Sequence, residues 1–200
     1  MKKLLAIVAV ALTIFTLTPV HAEVNFLAAL AHADNNITAK APTTAKIDVG
    51  FSPDEGAENL VLKAIGAARS EIRVLSYSFT SAPITHALLA AKHRGVDVAM
   101  IVDYKNNISE DRSGKAKHAL NALALAGVRI RTISIYPIHH DKTLIVDGQH
   151  VETGSFNFSD AAAHRNSENV IVLWNHPELA QIYLRHWRDR FSRGLNYLPG

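Results

Sequence analysis

Polar side chains of the types used in phosphoryl transfer lie close together in one stretch of the sequence. From residue 140 to residue 157 the chain reads HDKTLIVDGQHVETGSFN. An imidazole and an ammonium group stand two residues apart, at His140 and Lys142. A hydroxyl and an amide stand two residues apart, at Ser155 and Asn157. Because side chains at positions i and i+2 of an extended strand point the same way, each pair projects to one side, and we expect the four groups to converge.

Such a set of groups suits the cleavage of a phosphodiester. The neutral imidazole of His140 can attack phosphorus and form a phosphohistidine. The ammonium of Lys142 and the donors of Ser155 and Asn157 can hold the phosphate oxygens, on which charge builds in the transition state. Because these protein groups supply the electrostatic stabilisation, we expect neither a metal ion nor a cofactor.

The histidine that precedes His140 offers an alternative. The run His139-His140-Asp141 contains types of residue that bind metals. Adjacent residues of a strand face opposite ways, so His139 and His140 should not bind the same ion. We therefore predict no metal site.

Six positions of the stretch fit the pattern His-x-Lys, four residues, Asp, six residues, Gly-Ser-x-Asn. They are His140, Lys142, Asp147, Gly154, Ser155 and Asn157. On this pattern the chain resembles the phospholipase D superfamily, where it is called the HKD motif. The single motif and short chain are similar to the Nuc-type bacterial periplasmic endonucleases. The resemblance spans roughly residues 47–197 and includes the flanking stretches GFSP, YSFT, RGVDV and NSEN.

A nucleophilic imidazole needs one ring nitrogen protonated and held, so that the other presents its lone pair. A carboxylate that accepts this N–H holds the ring and stabilises the cation that follows. The resemblance indicates Glu168, in the stretch NSEN, for this role.

The motif positions Asp147 and Gly154 are interpreted as structural. Asp147 lies five residues after Lys142, so a regular strand turns it to the opposite face. It also precedes Gly148, and this dipeptide suits a tight hairpin turn.

One motif supplies one histidine, which is occupied as the nucleophile, yet the leaving oxygen needs a general acid. A homodimer with two-fold symmetry would place a second His140 beside the same phosphate. The resemblance implies the same composite site, so we predict a homodimer.

Three classes of function remain open. The favoured one is a nuclease of low sequence specificity, with DNA as its first expected substrate and RNA as its second. The alternative is a phospholipase D or cardiolipin-type lipid phosphodiesterase, which needs an apolar docking surface. A binding protein with a relict motif is disfavoured, because the motif is intact.

The elements that position these residues alternate along the chain. Strands are predicted near residues 46–51, 71–78, 96–103, 128–134 and 168–174, with a hairpin at 143–155, and helices follow Pro53, Ser81 and Arg112 or begin at Pro177. The alternation predicts an α/β fold, with a mixed, mostly parallel sheet and helices on both faces.

The N-terminal segment has the order of a secretory signal peptide. Lys2 and Lys3 precede an apolar run, and Val20-His21-Ala22 suits cleavage. We therefore predict a signal peptide at 1–22, a leader or linker at 23–45 and one phosphodiesterase domain at 46–200. The protein would be periplasmic or extracellular, without stable membrane insertion after cleavage. The formal net charge of +3 does not by itself indicate a nucleic-acid binder.

Overall fold

The centre of the protein is one mixed sheet of eight strands. It is seen in a computed structural model that describes residues 37–200, of which Ala39–Gly200 form one compact unit. The strands are β1 (Lys46–Ser52), β2 (Glu71–Ser76), β3 (Asp97–Asp103), β4 (Arg129–Ile133), β5 (Lys142–Val146), β6 (His150–Gly154), β7 (Glu168–Trp174) and β8 (Leu195–Asn196). The helices are α1 (Ala57–Ala67), α2 (Ala82–His93), α3 (Lys115–Leu125), α4 (Asp160–His164) and α5 (Pro177–Arg193), with a π-helical turn at Lys105–Ser109.

The strand order is β1-β7-β6-β5-β2-β3-β4-β8. Only the β2–β3 and β3–β4 pairs are parallel, and the pairings that involve β1, β5, β6, β7 and β8 are antiparallel. The mixed α/β sheet is confirmed, but the prediction that it is mostly parallel is wrong for the described strands. The reason is that helices α2 and α3 provide the crossovers that parallel pairs need, whereas a turn and a short helix connect β5, β6 and β7.

The hairpin turn between β5 and β6 forms where its sequence predicts. Asp147 and Gly148 both have positive φ angles, of 55° and 63°. This is the backbone of a type I′ turn, whose twist matches that of the flanking strands.

Both faces of the sheet are covered by helices, as predicted. On one face, Val61 of α1, Leu88 of α2 and Leu123 of α3 belong to the same buried cluster as Val74 and Leu144 of the sheet. On the other face, α5 packs through a separate buried cluster. Its members include Ala180, Leu184 and Trp187 of the helix with Leu75, Ile101 and Ile145 of the sheet.

The polar cluster of the motif lies at one end of this sheet, where several strands begin or end. The parallel strands β2 and β3 end there at Ser76 and Asp103, and β5 begins there because it runs antiparallel to β2, with Ser76 opposite Lys142. Strand β6 ends and β7 begins at the same end of the sheet. The carboxyl end of parallel strands is where α/β proteins commonly bind ligands.

The predicted signal peptide at 1–22 and most of the predicted linker lie outside the described residues. Strand β1 begins at Lys46, where the first strand of the domain was expected. Among residues 37–200, no helix has the length and apolar character needed to cross a bilayer.

Candidate active site

His140 and Lys142 lie side by side at the end of the sheet where β2 and β3 finish and β5 begins. His140 is exposed in the loop before β5, and its ring centroid is 4.7 Å from that of Tyr77. Lys142 is buried; its Nζ donates a 2.9 Å hydrogen bond to the carbonyl oxygen of His140 and lies 5.2 Å from the centroid of the Tyr77 ring. The aromatic ring therefore contacts both groups. Tyr77 was not singled out from sequence, although it lies in the YSFT stretch that follows β2.

The ammonium group of Lys142 lies in a partly desolvated position. Burial lowers the pKa of Lys142, and the carboxylates of Asp141 and Glu168 counter this only in part. Charge interactions strengthen as water is removed, so a buried ammonium binds a phosphate oxygen more strongly than an exposed one.

Ser155 and Glu168 are joined directly. The Ser155 hydroxyl donates to Oε2 of Glu168 at 2.6 Å, and Nδ2 of Asn166 donates to Oε1 at 2.9 Å. The backbone N–H of Asn169 donates to the Ser155 hydroxyl at 3.1 Å. Within residues 37–200, no hydrogen bond joins Glu168 to His140. The structure thus brings Glu168 together with Ser155 and near Lys142, while its role as the residue that orients His140 stays a prediction.

Asn157 is held between two anchors. Phe156 and Phe158 on either side of it are fully buried, which fixes the backbone that carries the amide. Oδ1 of Asn157 is buried and has no hydrogen-bond partner among the described residues. A buried amide oxygen without a partner is costly and needs a donor such as a bound water, so a contact of Asn157 with phosphate would be made by its Nδ2 group.

A family model described as "Cardiolipin synthase, PLD-like domain" matches residues 61–190, which is more than half of the chain. The chain belongs to the phospholipase D superfamily. It is 36% identical over 149 residues to a phospholipase D of Rickettsia bellii, covering 74% of this chain and 71% of that protein. It is 30% identical over 132 residues to a mitochondrial cardiolipin hydrolase of Danio rerio, covering 64% of this chain and 55% of that protein.

The fold is similar to that of solved members of the superfamily. The crystal structure of Nuc from Salmonella typhimurium, a phospholipase D family member, matches with a TM-score of 0.73 at 47% identity over 76% of this chain and 98% of that chain. NucT from Helicobacter pylori matches with a TM-score of 0.66 at 22% identity over 76% and 99% of the two chains, which shows the fold alone. The resemblance to the Nuc type is confirmed, and the chain is a phosphodiesterase of the phospholipase D superfamily.

Two positions of the superfamily motif lie outside the polar cluster. Asp147 is at the opposite end of β5, where its carboxylate accepts hydrogen bonds from the backbone N–H groups of Arg69, Ser70 and Glu71 and from the Ser70 hydroxyl, at 2.8 to 2.9 Å. Gly154 ends β6 so close to β7 that a Cβ there would overlap the carbonyl oxygen of Asn169. These contacts are those expected of structural residues.

His139 is buried and His140 is exposed, although both lie in the loop before β5 and not in the strand that was expected to separate them. His139 is buried, and its backbone N–H donates to Oδ2 of Asp103 at 2.8 Å. Its Nδ1 lies 3.3 Å from Oδ2 of Asp141, which also accepts from Nε2 of His186 at 3.1 Å. Among the residues that the structure describes, no group of three or more histidine, aspartate and glutamate side chains is arranged to hold a metal ion. Sequence reasoning did not find this second cluster, because His186 is 45 residues away in the chain.

Proposed function

We propose that this phosphodiesterase hydrolyses nucleic acid through a covalent phosphohistidine on His140. The observation that carries the proposal is the exposed imidazole of His140 beside the partly desolvated ammonium of Lys142. Ser155 and Glu168 lie at the same end of the sheet.

The reaction has two steps. Nε2 or Nδ1 of His140 forms a bond to phosphorus while the bond from phosphorus to the leaving oxygen breaks, and that oxygen takes a proton from a general acid. Lys142 and the donors of Ser155 and Asn157 stabilise the charge on the equatorial oxygens. Water then attacks the phosphohistidine and gives a proton to the deprotonated general acid. The bond from phosphorus to His140 breaks, which releases the phosphate ester, the neutral imidazole and the restored acid.

Nucleic acid is the favoured substrate because of the resemblance to Nuc, at 47% identity over nearly the whole of that chain. Arg185 and Arg188 of α5 are exposed and can contact phosphates. A lipid phosphodiesterase is the second candidate, because Ile135 and Ile138 in the loop before His140 are 55% and 53% exposed. Exposed apolar side chains beside a nucleophile suit a lipid surface.

The experiment offers the purified protein plasmid DNA, RNA and cardiolipin or phosphatidylcholine vesicles, each with excess EDTA, and uses His140→Ala as the control. We expect cleavage of nucleic acid by the wild type, unchanged by EDTA and absent in His140→Ala. Cleavage of vesicle lipid alone would favour the second candidate. A need for a divalent ion would contradict the phosphohistidine mechanism.

The proposal includes a homodimer, because a second His140 is the expected general acid. An apolar surface that a second copy can cover lies on the face of the sheet that α5 covers only in part. Ile47, Val49 and Phe51, on one side of the edge strand β1, are 60%, 56% and 50% exposed, beside Ile171 and Leu173 of β7. We call these five residues the β1 patch. It reaches the site, because Ser52 next to Phe51 lies opposite Glu168.

The β1 patch is tested by Val49→Asp, with Leu125→Asp as a matched control, since Leu125 is 79% exposed on α3 and lies outside the patch. We expect Val49→Asp to shift the mass measured by light scattering towards the monomer and to lower activity. A dimer that Val49→Asp leaves intact would place the interface elsewhere.

The proposed location is the periplasm or the exterior. It rests on the signal-like segment at 1–22, and the intact mass of the secreted protein tests it. We expect a chain that begins at Glu23.

A further inference from the structure

Asp141 stands between the two principal residues of the proposed site, and its side chain points away from both. His140 and Lys142 flank it in sequence, and the carboxylate turns towards α5, where Oδ2 accepts a hydrogen bond from Nε2 of His186 at 3.1 Å. The same oxygen lies 3.3 Å from Nδ1 of the buried His139. The carboxylate therefore joins the loop before β5 to the helix behind it.

The main chain of Asp141 is fixed as well. Its carbonyl oxygen accepts a hydrogen bond from the N–H of Tyr77 at 2.8 Å. The ring of Tyr77 in turn contacts the imidazole of His140 and the ammonium of Lys142. Movement of Asp141 would therefore displace both groups and the ring that they share.

The charges around Asp141 favour its ionised form. Burial opposes ionisation, but the hydrogen bond from His186 and the charges of His139, His186 and Arg190 outweigh burial, so the pKa of Asp141 is lowered. Asp103 also faces His139. The Asp141 carboxylate in turn acts on Lys142, whose pKa it raises against the effect of burial.

We infer that Asp141 is a positioning residue: held by His139 and His186, its carboxylate fixes the backbone that presents His140 and Lys142 to the phosphate. This inference rests on the proposed function and deepens it. Nothing in it requires Asp141 to touch the substrate.

The first test measures kcat and KM for DNA cleavage in Asp141→Ala, His186→Ala and the double variant. Loss of either end of the hydrogen bond lets the loop move, and a misplacement of about 1 Å can cost about 10²-fold in rate. We expect kcat to fall by about that factor in Asp141→Ala and KM to change little. Because the two residues act through one contact, the double variant should be no worse than Asp141→Ala.

The second test separates charge from shape. Asp141→Asn keeps the size of the side chain but removes a charge that raises the pKa of Lys142, so the alkaline limb of the pH–rate profile should move to lower pH. His186→Ala leaves the carboxylate in place and should lower kcat with a much smaller movement of that limb. If Asp141 had only a structural role, the alkaline limb of the pH–rate profile would stay at the same pH in Asp141→Asn.

The matched control is Asp97→Asn. Asp97 is likewise a partly buried carboxylate between two basic side chains, Arg73 and Arg129, but it lies at the opposite end of the sheet. We expect it to affect stability and to leave kcat unchanged.

The outcomes are distinguishable. Wild-type protein without His140-dependent cleavage would overturn the proposed function and this inference together. This inference alone would be overturned if a folded Asp141→Ala variant kept wild-type activity. It would also be overturned if the losses in kcat of the two single variants added up in the double variant. Asp141→Asn, which preserves the shape of the side chain, decides the case if Asp141→Ala loses its native circular dichroism.

Discussion

The hydroxyl group of Ser155 donates a 2.6 Å hydrogen bond to the carboxylate of Glu168. The sequence predicts that Ser155 binds phosphate and that Glu168 orients His140. In the structure, which holds no substrate, these two residues are hydrogen-bonded to each other. With Asn166 on its other oxygen, the carboxylate is held in place at the start of β7. Ser155 can leave this partner for a phosphate oxygen, which would free Glu168 to accept a hydrogen bond from the ring N–H of a histidine.

Glu168→Gln is expected to lower activity less than His140→Ala does. The amide keeps the size of the side chain and can still accept from Ser155, so geometry partly survives. His140→Ala removes the nucleophile, and loss of the general acid alone would cost about 10²–10⁴-fold. Rates of DNA cleavage for the two variants provide the comparison. If Glu168→Gln were as inactive as His140→Ala, its charge would be essential to the chemistry.

A shared site makes activity depend on both chains of the proposed dimer. Wild-type and His140→Ala chains are mixed equally, unfolded and reassorted at random, and tagged chains verify the exchange. If one site needs His140 from both chains, about one quarter of the dimers are fully active, whereas independent sites leave about one half. Activity should therefore vary with the square of the wild-type fraction. A straight line would mean that each chain carries a complete site of its own.

Asp147→Asn is expected to lower stability and to spare catalysis. Oδ1 of Asp147 accepts from Ser70 and Glu71, and Oδ2 accepts from the N–H of Arg69. An amide cannot accept at both positions, and hydrogen bonds to a charged group are worth about 1.5–3 kcal/mol each. Urea unfolding should show a loss of that order, with kcat of the folded fraction unchanged. A stable Asp147→Asn protein without activity would overturn the structural interpretation.

Glu152 makes stability depend on pH. It is fully buried on β6, neither oxygen has a hydrogen-bond partner among the described residues, and burial raises its pKa to about 8. Between about pH 4.5 and 8 the unfolded chain has lost this proton while the folded chain keeps it. This group therefore lowers the free energy of unfolding as pH rises through that window, by up to about 1.4 kcal/mol per pH unit.

Glu152→Gln removes the titrating group, so the variant should gain stability relative to the wild type as pH rises from 5 to 8. Urea unfolding at several pH values measures the difference, and the exposed Glu55→Gln is the control. Parallel curves for wild type and Glu152→Gln would show that Glu152 does not keep its proton.

The sequence alone determined the features that depend on neighbours in the chain. The hairpin turn at Asp147-Gly148 formed as predicted, because its two residues accept positive φ angles. The two neighbouring histidines were expected to face apart, and His139 is buried whereas His140 is exposed. The spacing of the motif also identified the superfamily, since a set of side chains that must converge on one phosphate tolerates little variation in spacing.

The tertiary structure decided what depends on distant segments. The direction of each strand follows from which strands pair, so the sheet is largely antiparallel although strands and helices alternate. Tyr77 reaches the motif because β2 lies beside β5, and Asp141 finds His186 because α5 packs behind that strand. Burial of Glu152 and of Lys142 likewise depends on what packs over them. Local propensity specifies turns and alternation, whereas the partners and the dielectric surroundings of a side chain arise only when remote parts of the chain come together.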